Sequence, residues 1–102
     1  MIIVKGEVRF GEGEIARLTP AFAANIAATR AEEGCEAYAY AVDVADADLL
    51  RISEAWRDEA AMNAHMTAPH MAELMAVLAT ARIEAMKIDA YEARFLKTVL
   101  GG

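Results

Sequence analysis

The pattern of apolar and polar residues changes its period several times along the chain, and each period predicts one kind of element. Residues 1–10 alternate, which predicts a strand with one buried face and one wet face. The buried face carries Ile2, Val4, Val8 and Phe10. After Gly11 and Gly13 the apolar residues recur at helical spacing to about Glu33, which predicts an amphipathic helix. Its apolar stripe consists of Ile15, Leu18, Phe22 and Ile26.

A proline and a glycine punctuate this helical pattern. Pro20 lies inside it, where proline loses a backbone hydrogen bond and clashes with the preceding turn. Because Thr19 can cap a new segment that begins with Pro20, we expect a kink or a restart of the helix there. Gly34 follows at the position where a left-handed residue commonly ends a helix.

In the middle of the chain, side chains of different character again alternate from one residue to the next, which predicts two more strands. The first covers residues 35–44, and its larger face carries Tyr38, Tyr40, Val42 and Val44. Residues 43–48 are acidic and turn-forming, so we interpret them as a solvated loop rather than a metal site. The next strand covers residues 49–57, and its inward face carries Leu50, Ile52, Glu54 and Trp56. Glu54 is thus a carboxyl group on an otherwise apolar face.

The last third predicts two short helices and a final strand. Asp58 can cap a helix that is interrupted at residues 67–69. One side of this helix carries Ala61, Met62, His65 and Met66. The second helix has an apolar stripe of Met71, Leu74, Met75 and Leu78. Residues 83–99 are strand-like but longer than a small four-stranded sheet needs, so their end could reach a neighbouring subunit or turn helical.

The predicted order of elements is strand, helix, strand, strand, helices, strand. This order is that of a ferredoxin-like split β-α-β unit, an α+β fold with an antiparallel sheet. We expect residues 1–102 to form a single domain, since domains most often have roughly 100–150 residues. Helices would cover one face of the sheet. The apolar surface left over favours a homodimer in which two copies pack sheet to sheet.

Charge and composition argue against several classes of function. The net charge is −6 and the ten basic residues form no run, which disfavours a nucleic-acid binder. No apolar stretch approaches the roughly 20 residues that span a bilayer, and the N-terminus lacks the features of a signal peptide. We therefore predict a cytoplasmic protein without membrane association. The single Cys35 cannot form an internal disulfide, and we interpret it as a small buried residue.

The segment from Trp56 to His70 holds the only tryptophan, both histidines and one of the two prolines. The run ISEAWRDEAAMNAHMTAPH at 52–70, together with EEGCEAY at 32–38, resembles the antibiotic biosynthesis monooxygenase family. The shared features are a Glu-x-Trp strand end, a helix with a histidine and a Thr-x-Pro-His turn. The resemblance extends over almost the whole chain in length and element order. It implies a dimeric α+β barrel that oxidises a small quinol or phenol-like aromatic substrate with dioxygen, using neither metal nor flavin.

This chemistry needs a base, because triplet dioxygen does not readily accept electron pairs and the substrate must first become an electron-rich anion. Histidine suits the task, since its reference pKa of about 6.5 lets it accept a proton at neutral pH. His65 is the first candidate because it shares an inward helical face with Met62 and Met66. His70, near the start of the next helix, is a second polar contact. Each histidine also has a structural interpretation, as a hydrogen-bonded core residue or as a turn contact.

Other residues are candidates for binding the substrate. Trp56 could form an aromatic wall, completed by the methionines and Tyr38, although all of these also suit an ordinary core. A buried carboxylate such as Glu54 is costly unless it is paired or protonated. We expect it to bond a histidine ring nitrogen or, preferably, to pair with Arg82 or Arg94. Two histidines five residues apart, without a third ligand at a recognisable spacing, do not predict a metal site.

Two other functions stay open. A non-catalytic dimeric module that binds a small apolar ligand fits the alanine-rich composition and the lack of a complete catalytic triad. An isomerase or lyase on the same fold would share the base but would not require dioxygen. Haem degradation is disfavoured, because the inward residues of the first strand are apolar. A cavity of roughly 300 Å3 or more beside His65, with a ring nitrogen exposed to it, would favour an enzyme over a binding module.

Overall fold

The chain folds into four strands and three helices, and the computed structural model describes all residues from 1 to 102. The strands are β1 (Ile2–Phe10), β2 (Cys35–Asp43), β3 (Asp46–Trp56) and β4 (Ile83–Glu92). The helices are α1 (Glu14–Arg30), α2 (Glu59–Met66) and α3 (Pro69–Leu78). The strands form one antiparallel sheet in the order β2-β3-β1-β4. The predicted α+β fold with its ferredoxin-like order of elements is therefore confirmed.

The helices lie on one face of the sheet, and the core fills the space between the two layers. Alternate residues of β1 and β3 point into this space, as predicted. The larger buried cluster consists of Val8, Phe10, Leu18, Phe22, Leu50, Ile52, Met71 and Leu74. A smaller cluster consists of Ile2, Val4, Tyr38, Trp56 and Ala61. None of the three helices has the length and apolar character that crossing a membrane would require.

The opposite face of the sheet is not covered by a helix. The register places Tyr91 beside Ile3 on this face, and Tyr91 is 52% exposed. Beyond β4 the chain has no regular structure and exposes Phe95, Leu96, Val99 and Leu100. The prediction of a strand to about Val99 is therefore wrong. Glu92 pairs with Ile2, the first residue of β1, and the Ala93 N–H donates to the Met1 carbonyl at 2.9 Å, so the chain that pairs with β4 is used up and the residues after Ala93 have no strand to pair with.

Helix α1 runs through Pro20 without a break, so the predicted restart is wrong. The Thr19 hydroxyl does not cap a new segment but donates to the Ile15 carbonyl at 2.7 Å. The proline removes a single amide donor from a helix of 17 residues. Leu18 and Phe22 anchor the helix in the core on either side of it.

The acidic segment 43–48 is mostly strand, not loop. Only Val44 and Ala45 form the turn, and residues 46–48 already belong to β3. The ion pairs explain why strands tolerate these carboxylates. The guanidinium groups of Arg51 and Arg9 lie 2.8 and 2.7 Å from Asp43 and Asp46, respectively, and lower the pKa of both carboxyl groups.

The predicted Asp58 cap is confirmed, but Gly34 does not end α1, which stops at Arg30 with Ala31 as its C-cap; Gly34 lies in the turn before β2. The Asp58 side chain accepts the backbone N–H of Ala61 at 2.8 Å and so caps α2. Gly34 has a φ of +82°, a conformation that favours glycine. A Cβ on Gly34 would lie 2.6 Å from the Cβ of Ala61, so only glycine lets the turn approach the helix this closely. Cys35, the next residue, is partly rather than fully buried.

Candidate active site

A cavity of about 310 Å3 lies between the sheet and helices α2 and α3. Of its 21 lining residues 18 are hydrophobic, so it suits a small apolar molecule. The polar exceptions are Glu54, His65 and Asp89. Five methionines contribute to the wall: Met62, Met66, Met71, Met75 and Met86. Three of these, Met66, Met75 and Met86, are about half exposed and therefore border the opening.

His65 is held inside the protein by α2. The Asp58 cap fixes where this helix begins, and Ala61 and His65, four residues apart, then share its inward face. The imidazole is only 1% exposed. Its ring lies 4.7 Å from the indole of Trp56 and 5.3 Å from the phenol of Tyr38, measured between centroids. The side chain is therefore fixed on both sides by aromatic rings.

Glu32 orients this imidazole. Its Oε2 lies 2.6 Å from His65 Nδ1, in the turn between α1 and β2. When His65 is neutral, Nδ1–H donates to this carboxylate and the lone pair resides on Nε2. Nε2 forms no hydrogen bond. It is also not among the fully buried side-chain nitrogen and oxygen atoms that lack a partner, so part of it is accessible. Since His65 lines the cavity, Nε2 is available there as a proton acceptor.

His70 takes part in the same cluster from a different helix. It follows Pro69, the first residue of α3. Its Nε2 lies 3.2 Å from the same Oε2 of Glu32, and its ring is 6.0 Å from that of His65. His70 does not line the cavity. The structure thus brings both predicted histidines together but leaves only His65 in contact with the space where a substrate would bind.

The predicted partners of Glu54 are wrong. Glu54 pairs with neither a histidine nor an arginine but accepts the indole N–H of Trp56 at 2.9 Å. The Arg82 guanidinium is engaged elsewhere, since its Nη2 donates to the Glu12 carbonyl at 2.8 Å. Arg94 follows the last strand and forms no ion pair. Burial raises the pKa of the Glu54 carboxyl, and the bond from Trp56 opposes that shift.

Trp56 supports the site without lining it. Its side chain is fully buried and is absent from the cavity wall, so it does not form the predicted aromatic wall. Instead it holds the Glu54 carboxyl on one side and packs against His65 on the other. The other predicted wall residues, Met62, Met66 and Tyr38, do line the cavity.

Two tyrosines and an asparagine form a hydrogen-bonded ring next to the cavity. The hydroxyls of Tyr38 and Tyr40 are 2.6 Å apart, and Asn25 Nδ2 donates to them over 3.0 and 3.3 Å. Burial raises the pKa of both phenols, which keeps them neutral. The ring uses both amide protons and one phenol proton. The second phenol proton has no partner in the ring, and both tyrosines line the cavity, so it can be donated to a bound molecule.

Comparison with known proteins decides the family. Residues 1–77 match the family model described as antibiotic biosynthesis monooxygenase. The chain belongs to the antibiotic biosynthesis monooxygenase family. None of the curated proteins compared with the chain matches it. Family membership supports a monooxygenase function at the level of the family.

Solved structures agree with this assignment. A protein from Deinococcus radiodurans, described as a candidate antibiotic biosynthesis monooxygenase, is 28% identical with a TM-score of 0.90 and covers 99% of this chain and 100% of its own. PA3566 from Pseudomonas aeruginosa is 26% identical, with a TM-score of 0.81 and coverage of 92% and 94%. A Bacteroides thetaiotaomicron protein, described as a possible oxidoreductase, is 26% identical, with a TM-score of 0.80 and coverage of 90% and 96%.

Two site residues of this family member were not predicted from its sequence. Glu32 lies in the EEGCEAY segment, but nothing in the local pattern shows that a turn residue will meet a histidine 33 positions later. The inward position of Asn25, in contrast, can be read from the sequence. It continues the buried helical spacing of Leu18 and Phe22, which places a polar side chain on the inward stripe of α1.

Proposed function

We propose that this chain is a homodimeric, cofactor-independent monooxygenase that oxidises a small quinol or phenol-like aromatic with dioxygen. The observation that carries the proposal is a largely apolar cavity into which one polar base, His65 Nε2, is presented by a carboxylate behind it. Family membership supplies the reaction class. The independence from metal and flavin follows from the family resemblance and is part of the proposal.

The first step is removal of a phenolic proton by His65. Nε2 accepts the proton, and the imidazolium that forms keeps its Nδ1–H bond to Glu32. An ion pair at 2.6 Å therefore forms as the substrate becomes an anion. The free phenol proton of the Tyr38–Tyr40 pair can donate to the developing phenolate. Such donors cost no reorganisation at the moment of reaction, because packing already holds them.

The second step is electron transfer from the anion to dioxygen. The anion gives up one electron at a time, and one oxygen atom enters the ring while the other leaves as water. For a quinol, the products are a hydroxyquinone and one molecule of water, and the substrate supplies all four electrons. The apolar cavity favours this step, since water is excluded from the reactive anion.

The homodimer is proposed from the face of the sheet that no helix covers. Tyr91 and the alanines of β2 lie on this face, and the segment 93–102 beyond β4 exposes further apolar side chains. A second copy packed sheet to sheet would bury them, and the extended segment after Glu92 would lie along the partner. The charged residues Lys5 and Glu7 share this face and would lie at or near the interface.

The test is oxygen uptake with a panel of quinols and anthrones, measured in air and under nitrogen. His65→Ala should reduce turnover by about 100-fold or more, the usual effect of removing a general base. Asn63→Ala, an exposed position on the same helix, is the control and should retain wild-type turnover. Equal oxygen uptake by wild type and His65→Ala would exclude His65 as the base.

The same assay separates the alternatives. Turnover that is identical in air and under nitrogen would indicate an isomerase or lyase that uses the same base. Tight binding of an apolar ligand without turnover of any substrate would indicate a binding module. Either result would overturn the proposed monooxygenase activity for this chain.

A further inference from the structure

Three metal-ligating side chains converge at one point behind the cavity. Glu32, His65 and His70 each offer one ligand atom, and these atoms all lie within 4.8 Å of one another. They come from three separate elements, the α1–β2 turn, α2 and α3. The spacing of the two histidines did not predict a metal site because it showed no third ligand. The fold supplies that ligand as Glu32.

The geometry points to a binding site for a divalent transition metal of the Zn2+ class, with Glu32 Oε2, His65 Nδ1 and His70 Nε2 as ligands. Two imidazoles and one carboxylate, with a fourth position left open, form a recurring zinc ligand set. Imidazole also binds Fe2+, Ni2+ and Cu2+, whereas Mg2+ and Ca2+ prefer all-oxygen sites. The chemistry of the donors therefore selects a transition metal.

The two distances to Glu32 Oε2 require only small adjustments, whereas the two histidine nitrogens lie within 4.8 Å of each other and would approach to about 3.3 Å around a bound ion. With Zn–N and Zn–O bonds of about 2.0–2.2 Å and tetrahedral angles, neighbouring ligand atoms lie about 3.3 Å apart. His70 Nε2 and Glu32 Oε2 are already 3.2 Å apart. His65 Nδ1 and Glu32 Oε2, now 2.6 Å apart, would separate by a fraction of an ångström when the ion replaces the shared proton. Glu32 lies in a turn, which allows its carboxylate to move.

The cluster is open to solvent on the side away from the cavity. The side chains of Glu32 and His70 are 17% and 20% exposed, and neither lines the cavity. An ion can therefore reach the cluster directly from solvent. His65 is the one residue of the cluster that also lines the cavity, because its Nδ1 faces Glu32 and its ring contributes to the cavity wall.

Binding of the ion would change the proton on His65. A neutral imidazole carries one N–H, so a metal on Nδ1 leaves that proton on Nε2. The nitrogen in the cavity then becomes a donor and can no longer accept a proton from the substrate. The ion would therefore inhibit the enzyme rather than serve the reaction. This last step rests on the proposed function, whereas the binding site itself does not.

Binding is tested by isothermal titration of the tag-free protein with ZnCl2, with MgCl2 as the control ion. We expect one Zn2+ per chain and a change in the emission of Trp56, the only tryptophan, whose ring lies 4.7 Å from that of His65. Loss of even an outer-shell partner costs about 10–100-fold in metal affinity, so Glu32→Gln and His70→Ala should each weaken binding at least tenfold. Circular dichroism checks that both variants fold.

Glu33→Gln is the matched control, because Glu33 is the adjacent carboxylate but pairs with Arg57 outside the cluster. It should bind Zn2+ as the wild type does. Absence of binding, or binding that both ligand variants leave unchanged, would overturn the site. Equal weakening by Glu33→Gln would also overturn it, since diffuse surface charge would then explain the binding.

Inhibition is tested separately on the active wild type. Zn2+ should inhibit turnover with a midpoint near the dissociation constant from the titration, and EDTA should restore it. Binding at the cluster with unchanged turnover would overturn the inhibitory role and leave the site standing. Absence of any oxygen-dependent turnover would instead count against the proposed function, and the titration would still decide the metal site.

Discussion

Glu54 and Trp56 lie two residues apart on the inward face of β3, and the Trp56 indole N–H donates to Glu54 Oε1 at 2.9 Å. Glu54 lines the cavity, whereas Trp56 is fully buried and does not line it, so the bond links the cavity wall to the core. It satisfies the buried indole N–H and keeps the ring against His65. The Glu54 carboxyl therefore holds in place the Trp56 ring, which packs against the candidate base His65.

Substitutions of Glu54 distinguish its role as a hydrogen-bond acceptor for Trp56 from the effect of its charge. The raised pKa of Glu54 means that its contribution to stability is fully present below its ordinary pKa and is lost as pH rises through the folded-state value. The carboxyl therefore contributes less stability at neutral pH than at low pH. Glu54→Gln keeps an oxygen acceptor for Trp56, and we expect a free energy of unfolding at pH 7 equal to or above that of the wild type.

Glu54→Leu is the matched comparison. It leaves the buried indole N–H without a partner, which costs about 1–3 kcal/mol. Urea denaturation at pH 7 measures both variants. An equal loss of stability in the glutamine and leucine variants would show that the carboxylate itself, rather than the acceptor, is required.

Replacing Glu32 tests whether this carboxylate orients the base. Glu32→Gln can donate an amide N–H to His65 Nδ1 and so favour the tautomer with a proton on Nε2. A comparable change in serine proteases lowers kcat by about 10⁴. We expect kcat here to fall at least about tenfold with little change in KM. Steady-state kinetics measure this, and wild-type kcat in Glu32→Gln would contradict the role.

Glu33→Gln is again the control, since Glu33 is exposed and pairs only with Arg57. Wild-type kcat is expected for this variant. A fall that matches that of Glu32→Gln would mean that general negative charge in the turn, and not one oriented carboxylate, affects the reaction.

The fold was largely predictable because its signals are local. The alternation in residues 1–10 and 49–57 reports which side chains face the core, and Asp58 reports where α2 begins. The end of β4 was not predictable in this way. Glu92 ends the strand because its partner β1 begins at Ile2, a limit set by another part of the chain. The restart expected as one alternative at Pro20 was wrong for a similar reason, since Leu18 and Phe22 hold the helix in the core on both sides of it.

The site was predicted only in part. His65 faces inward because helical spacing from Ala61 places it there, and this spacing is visible in the sequence. Its contact with Glu32 joins residues 33 positions apart and depends on how the turn before β2 docks against α2. Likewise the aromatic character of Trp56 suggested a cavity wall, but only the packed structure shows that Glu54 lines the cavity and Trp56 does not.

Gly34 should be the least replaceable glycine of the turns. Gly13 and Gly34 have nearly the same backbone conformation, with φ of +81° and +82°. A Cβ on Gly13 meets nothing within 4 Å, whereas one on Gly34 meets Ala61 at 2.6 Å. Gly13→Ala should cost about 1–2 kcal/mol for the left-handed conformation alone. Gly34→Ala should cost clearly more and also lower turnover, since the turn that carries Glu32 must shift. Equal losses in urea denaturation would contradict the steric argument.

The proposed dimer is tested by placing a charge on the open face. Tyr91→Glu should shift the protein from dimer to monomer in analytical ultracentrifugation, because a buried unpaired charge opposes sheet-to-sheet packing. Val44→Glu is the control, since Val44 is fully exposed in the β2–β3 turn. A wild type that sediments as a monomer at all concentrations would overturn the proposal directly. Unchanged dimer in Tyr91→Glu would place the interface elsewhere.

Glu14 makes the stability of the protein sensitive to acid. Its carboxylate accepts from Arg17 Nε at 2.9 Å, from Arg17 Nη2 at 2.7 Å and from the backbone N–H of Arg82 at 3.0 Å. Because the Arg17 side chain and then the Arg82 N–H favour the charged form, the pKa of Glu14 falls from 4.5 to about 2. The bonds also tie the start of α1 to the residue before β4.

The lowered pKa fixes the sign of the effect. The stabilisation is present above the ordinary pKa of 4.5 and is lost as pH falls towards 2. Glu14→Gln has no charge to lose, so its free energy of unfolding should vary less steeply between pH 5 and 2 than that of the wild type. Urea denaturation across this range measures the slopes, with Glu12→Gln, at a position without an ion pair, as the control. Parallel curves for wild type and Glu14→Gln would show that other carboxylates govern the acid sensitivity.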